Sequence, residues 1–510
     1  MAVEKPGGVV RRALAAAVLV VAAACATNPA TGRRDLMLIG EGQEIALGKQ
    51  EDAKAVAAYG TYPDDALARW VESLGLALAA RSERPTLPWS FRLADDAAVN
   101  AFAAPGGFIF VTRGILAHLD SEAELAMVMG HEVGHVTGRH LARQLSQQQL
   151  ATLGLGVGMI AVPELQRYAG LGQTGLGLLF LKFGRDDERE ADDLGLRYAQ
   201  RLEYDLAQGA RAFRMLDLLA RQEPGGRMPS WLSTHPDPGD RYRRLLAAIE
   251  PAQLRGGRVE RESYLRRLEG MTFGENPREG FFRDGAFYHP DLRFRLQVPR
   301  GFQTRNTKQA VLAASREGDA VFQLTLARDR SAEEAARAFF RDSGLRAVDA
   351  RRTGLNGLQA VAGGFEGVSG QTRISGAAAF VEHEGRVFQL VGYAGAYDWP
   401  RYRTLLAGAI GSFSPLRERW ALEAQPRRLS VVALDRDMTL AEFTRRYPST
   451  VPDATIALVN QLEPGDTLAA GRLVKRVAGG ESWHQSDSAV PGDGLSRAFA
   501  DWRKTWPSPR

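Results

Sequence analysis

Among 510 residues there is a single cysteine, Cys25, so the chain can form no disulfide with itself. Hydrophobic runs are short as well. The run Ala13–Ala24 holds twelve residues, and the glycine-rich stretch 150–183 is broken by Pro163 and by the sequence ELQRY. A helix that spans a bilayer needs about 20 apolar residues. Missing too is any block of Lys and Arg interleaved with aromatics. The net charge of +5 is spread along the chain, which argues against a nucleic-acid partner. No repeat with a period of about 34 residues is found, which excludes a helical array of that kind. What remains is globular composition, 45% hydrophobic and 25% charged. The length exceeds one ordinary core and predicts roughly two to four domains.

The N-terminus has the order of an export signal. Arg11 and Arg12 precede the apolar run Ala13–Ala24, and small residues lead up to Cys25. This predicts a signal peptide over residues 1–24. Small residues directly before a cysteine also match a bacterial lipobox, although Ala22 stands where Leu is usual. Cys25 is then the expected lipidation site, giving a membrane anchor. Ala26 and Thr27 follow it, without the aspartate that retains such proteins at the inner membrane. The expected location is the periplasm, at the outer membrane.

Coarse periodicity divides the rest. Residues 25–40 read as a tether. Residues 41–270 read as a mainly helical domain with a small sheet, whose strands are WSFRLADD and GGFIFVT. Ser121 and Glu124 form an S-x-x-E capping box at the head of a helix expected to reach Gln148. The stretch 150–183 reads as a buried helical hairpin, and further helices run from near Asp186 to about Leu268. Alternating segments from 271 to 416 predict an α+β domain, so the fold class as a whole is α+β. A small module over 417–478 and a flexible tail over 479–510 complete the chain.

The chemistry concentrates in MVMGHEVGHVTGRH, residues 127–140. His131-Glu132-Val133-Gly134-His135 fits H-E-x-x-H, in which positions i and i+4 share one helix face and can reach one Zn²⁺. Glu132 is placed to hold and deprotonate a water there. Alone, the motif is also compatible with two core histidines. On a continuous helix His140 lies about 180° from His131 and about 140° from His135, facing away from such a metal. A third ligand must come from elsewhere. Glu188 and Asp192, in GRDDEREADDLG, are four apart and share a helix face. Glu188 could ligate the metal, and Asp192 could accept a hydrogen bond from the far nitrogen of a ligating histidine. Equally, the pair could be the solvated acidic start of a helix.

H-E-x-x-H followed by E-x-x-A-D resembles the zinc metallopeptidase family that includes HtpX and the CAAX prenyl proteases. The likeness is nearest to its periplasmic lipoprotein branch, that of BepA and LoiP. NPATGRRDLMLIGEGQEIALG, NAFAAPGGFIFVTRGIL, HEVGHVTGRH, DDEREADDLGLRYA and STHPDPGDRYRRL carry the likeness in order, over roughly residues 25–268. It implies a gluzincin site with one Zn²⁺ on His131, His135 and Glu188, and with Glu132 as catalytic base. It also implies an endopeptidase acting on misfolded or stalled envelope proteins. The chain departs from HtpX in lacking membrane-spanning helices around the site.

His235, in STHPDPGD, is either a loop histidine beside a turn proline or part of a loop covering the zinc. In the second case it would stabilise an oxyanion or fill the open metal position. Arg241 either stabilises developing negative charge or pairs with an acidic neighbour. GGFIFVT is either a core strand or the cleft edge to which an extended peptide adds. In the C-terminal half, FYHPDLRFRLQVPRGF through GSFSPL resembles small domains of the PsbP type. His289 and His383 there have no partners at ligand spacing and read as structural. LSVVALDRDMTLAEFTRRYPSTVPDATIALVNQLEPGDTLAAGRLVKRV resembles a LysM module, which implies peptidoglycan contact. The two other readings are an outer-membrane assembly factor or chaperone with a latent protease site, and a peptidoglycan-binding lipoprotein.

Overall fold

The computed structural model describes residues 25–152, 181–222, 231, 234–235, 237–249, 256–369, 372–463 and 465–480. The expected signal peptide, most of the hairpin at 150–183 and all but the start of the tail lie outside them. Helices and antiparallel sheets are both extensive, as an α+β chain requires. No described helix is long and apolar enough to cross a membrane.

The first domain is built around one helix, Glu122–Thr137, all sixteen residues of which are buried. Ser121 caps it by accepting from the Glu124 amide at 3.2 Å. The other half of the expected box is absent. The Glu124 carboxylate accepts instead from the Asp120 amide at 2.7 Å and from Gln461 Nε2 at 2.7 Å. The helix is also shorter than its periodicity predicts. It stops at Gly138, and Arg139 takes a left-handed conformation with φ 55° before a second helix, His140–Thr152. That turn is fixed from far away in sequence, since Arg139 donates to Glu44 Oε2 at 3.0 Å and to the Ile39 carbonyl at 2.8 Å.

Against this helix lies Arg185–Arg201. Their backbones approach closely because small residues meet. A Cβ on Gly195 would stand 2.8 Å from the His131 amide nitrogen, and one on Gly134 would stand 2.9 Å from the Ala191 carbonyl. Beside them sits a three-stranded sheet whose centre is Phe108–Thr112. It runs parallel to Ser90–Ala94 and antiparallel to Ala101–Ala104. GGFIFVT is therefore the central strand and not the edge. Its described strand residues are all buried, because it is paired on both sides. The edge next to the motif helix is Ala101–Ala104.

The segment expected to be a tether is folded onto this domain. Cys25–Thr27 pairs with Arg34–Leu36, and Met37 and Ile39 are buried with Ala142.

In the next region a seven-stranded antiparallel sheet carries a helix on each face. Alternation along Thr372–His383 divides its residues. Ala379 and Val381 pack with Tyr402 and Leu406 of Trp399–Gly411, while Ala378 and Phe380 pack with Ala335 and Phe339 of Ala332–Ser343. A four-stranded sheet adjoins it.

The small C-terminal module has the order strand, two helices, strand: Arg427–Ala433, Leu440–Arg446, Asp453–Val459 and Leu473–Ala478. Its outer strands pair, and the first also pairs with Thr272–Phe273. Its core residues Leu429, Phe443, Ile456 and Val474 are continuous with the core of the first domain. Fully buried Lys475 donates to the carbonyls of Ala117 at 3.1 Å and Leu119 at 2.6 Å, just before the motif helix.

Candidate active site

One face of the motif helix brings His131 and His135 together, with their Nε2 atoms 2.9 Å apart. The crossing helix adds Glu188, whose Oε2 is 3.6 Å from His131 Nε2 and whose Oε1 is 3.6 Å from His135 Nε2. His235 completes the group. Its Nδ1 lies 2.9 Å from Glu188 Oε1 and 3.3 Å from His131 Nε2. Each of these four residues offers one ligand atom, and all four atoms lie within 4.8 Å of one another. All four residues are buried. Three imidazole nitrogens and a carboxylate oxygen converging in a buried site suit zinc in donor type and number. Such a cluster of lone pairs is costly to bury without a cation among them.

Glu132 lies beside the group. Among the described residues neither of its oxygens completes a hydrogen bond, although His235 Nε2 is 3.6 Å from Oε1. Burial pushes its carboxyl up to about 7, against the opposing pull of His235. Burial, and then the charge of Arg241, push the His131 imidazole down to about 4. His235 is driven the other way. Burial alone would lower it, but Glu188 and Glu132 outweigh that and hold it above its ordinary value.

Asp192 sits behind the first histidine, its Oδ1 3.1 Å from His131 Nδ1. Burial opposes its ionisation, yet Arg241 and His131 hold the carboxyl below the usual range. Arg241 donates to both oxygens of Asp192, at 2.6 and 3.0 Å, and its Nη1 lies 2.7 Å from Glu188 Oε2. Its guanidinium rests on Phe213 at 4.5 Å and Trp231 at 4.8 Å. Arg241 is thus paired with the acids that face the histidines, the plainer of its two expected roles.

Other neighbours carried little sequence signal. Trp231 stacks on His235 at 4.6 Å, and Phe183 stacks on His135 at 4.0 Å. His140 does not face away, as a continuous helix would require. The turn at Arg139 brings its Nδ1 to 2.9 Å from Nδ1 of His135, on the side remote from the converging nitrogens. His289 and His383 lie elsewhere, the first accepting from the Leu292 amide and the second on the Arg293 carbonyl. Cys25 is a strand residue paired with Leu36.

Residues 65–249 match Peptidase family M48. The chain is 31% identical over 208 residues to the beta-barrel assembly-enhancing protease of Escherichia coli K12, covering 39% of this chain and 42% of that one. It is 34% identical over 172 residues to the mitochondrial metalloendopeptidase OMA1 of Arabidopsis thaliana, covering 33% of each. It thus spans less than half the length of either relative. Among solved structures, the cyanobacterial PsbP of Synechocystis covers 26% of this chain and 91% of its own, at 13% identity and a TM-score of 0.23. That likeness is too weak to bear on fold or function. Residues 65–249 thus resemble a zinc metallopeptidase domain of family M48, and they hold the buried group that could bind the metal.

Proposed function

We propose that this chain is a zinc endopeptidase of the bacterial cell envelope that cleaves misfolded or stalled envelope proteins. The observation that carries the reading is the buried convergence of His131, His135 and Glu188 beside Glu132. These three residues are the proposed zinc ligands. Bound zinc would polarise the scissile carbonyl and acidify a water. The chain's own part is proton movement and positioning. Glu132, with a carboxyl near neutrality, takes a proton from the attacking water and delivers it to the departing amine. Asp192 fixes the tautomer and orientation of His131. An extended substrate pairs with the edge strand Ala101–Ala104, whose Ala103 lies over Glu132.

His235 is the fourth potential donor in the group, its Nδ1 2.9 Å from Glu188 Oε1. Bound to the zinc it would take the place a substrate carbonyl or water needs, and would have to leave before catalysis. This supports the second reading, an assembly factor whose protease site stays latent until a client moves the His235 loop. The name of the Escherichia coli relative agrees with either reading. We place the protein in the periplasm, lipidated at Cys25 and anchored to the outer membrane, from the signal-like N-terminus. The 271–416 region is proposed as a PsbP-like domain and 417–478 as a LysM-like module that meets peptidoglycan.

The test is β-casein cleavage by the purified protein and by Glu132→Gln, with zinc assayed on both. The wild type should cleave. Glu132→Gln should keep its zinc and lose activity by at least about a hundred-fold. Equal cleavage by both removes Glu132 from the reaction.

A further inference from the structure

Asn28 is fully buried, three residues from Cys25, in the stretch whose sequence suggests only a tether. Both ends of its side chain are engaged. Oδ1 accepts from the Ala30 amide at 2.9 Å and the Thr31 amide at 3.4 Å, closing the turn between the two N-terminal strands. Nδ2 points the other way, donating to Glu190 Oε1 at 2.8 Å and to the Gly138 carbonyl at 3.4 Å. Glu190 Oε1 in turn stands 3.4 Å from His140 Nε2. The outer nitrogen of that ring, Nδ1, is 2.9 Å from Nδ1 of His135. His135 therefore meets the metal group through Nε2 and this chain of residues through Nδ1.

The rest of the segment clamps the same two elements. Arg143, on the helix after the motif, pairs with Asp35 at 3.1 Å and with Asp187 on the crossing helix. The Leu38 amide donates to Ser146 Oγ at 2.9 Å. One segment thus ties the end of the motif helix to the helix that carries Glu188.

From these contacts we infer that Asn28 is a positioning residue for His135, acting through Glu190 and His140. The segment Asn28–Ile39 is then a strap of the metal site. The chemistry is that of any ligating histidine. The nitrogen away from the metal must donate, and what accepts there sets the ring's orientation and basicity. With Nε2 of His135 toward the metal, its Nδ1–H donates to His140 Nδ1, and His140 Nε2–H faces Glu190. Asn28 holds Glu190 in that place. The inference rests on the metallopeptidase reading, with His135 as a zinc ligand.

Asn28→Asp separates this role from a plain turn. Aspartate keeps the acceptor for the Ala30 and Thr31 amides but loses the donor, and sets a carboxylate against Glu190. The readouts, on the full chain, are zinc affinity by competition, the visible spectrum after Co²⁺ replacement, and the melting temperature. The inference expects Asn28→Asp to weaken zinc about 10- to 100-fold and to alter the Co²⁺ bands. The variant should melt lower, since a second carboxylate is buried beside Glu190, so affinity and spectrum are read well below its melting temperature. Glu190→Gln should act in the same direction, which keeps the test usable where Asn28→Asp fails to fold. Wild-type affinity and spectrum in a folded Asn28→Asp would overturn the inference while leaving the metallopeptidase reading intact. A folded wild type that binds no zinc would sink the reading itself, and the inference with it.

Discussion

His118 shows what burial does to one ionisable side chain. It lies outside the metal group, its Nδ1 2.7 Å from the Gly114 carbonyl, and burial, aided by Lys475, pushes its pKa down to about 4. The folded state therefore holds fewer protons than the unfolded state between about pH 6.5 and 4. Stability from this group is complete above pH 6.5 and is lost as pH falls through 4, by on the order of 3 kcal/mol. Urea midpoints measured from pH 7 to 4 should fall less for His118→Asn than for the wild type. Parallel curves would contradict the assignment. Histidines also show where sequence reading stops. H-E-x-x-H puts His131 and His135 on one face by helical period alone, and Glu188 and Asp192 share a face for the same reason. His140 escaped that logic because its place depends on the left-handed Arg139, which Glu44 and the Ile39 carbonyl secure. Nothing in the local pattern records such a contact.

Among elements, the decisive feature is the crossing of the motif helix with Arg185–Arg201. Gly195→Ala would place a methyl group against the His131 backbone. Overpacking of this kind costs about 1–3 kcal/mol, and here it also separates His131 from Glu188. The variant should melt lower and bind zinc more weakly; unchanged zinc affinity would mean the crossing has slack. The His235 segment is the other element at issue. If it blocks the site, His235→Ala should raise the β-casein cleavage rate above wild type while zinc content is kept. A fall in rate would make His235 a participant in the reaction instead. The sheet was only partly legible. The apolar run after Pro105-Gly106-Gly107 marks GGFIFVT as a strand, but such a run does not say which strands pair with it, and pairing on both sides was settled by neighbouring strands.

At the scale of the whole molecule, the small C-terminal module is built into the half that holds the candidate site. Its core merges with that of the first domain, and Lys475 and Gln461 bond residues at the start of the motif helix. Removing residues 417–510 should therefore lower the melting temperature of what remains by more than about 5 °C. It should also weaken zinc binding. A truncated chain with unchanged stability would show the module to be a passenger. Its sequence concealed this role, because a lysine is ordinarily exposed, whereas Lys475 is completely buried against backbone carbonyls. The most direct test of the account is the zinc content of the purified, folded chain beside that of Glu188→Gln and Glu132→Gln. One zinc per chain is expected in the wild type and in Glu132→Gln, and a large loss in Glu188→Gln. A folded wild type without zinc, or a Glu188→Gln that holds it as tightly, would contradict the site described here.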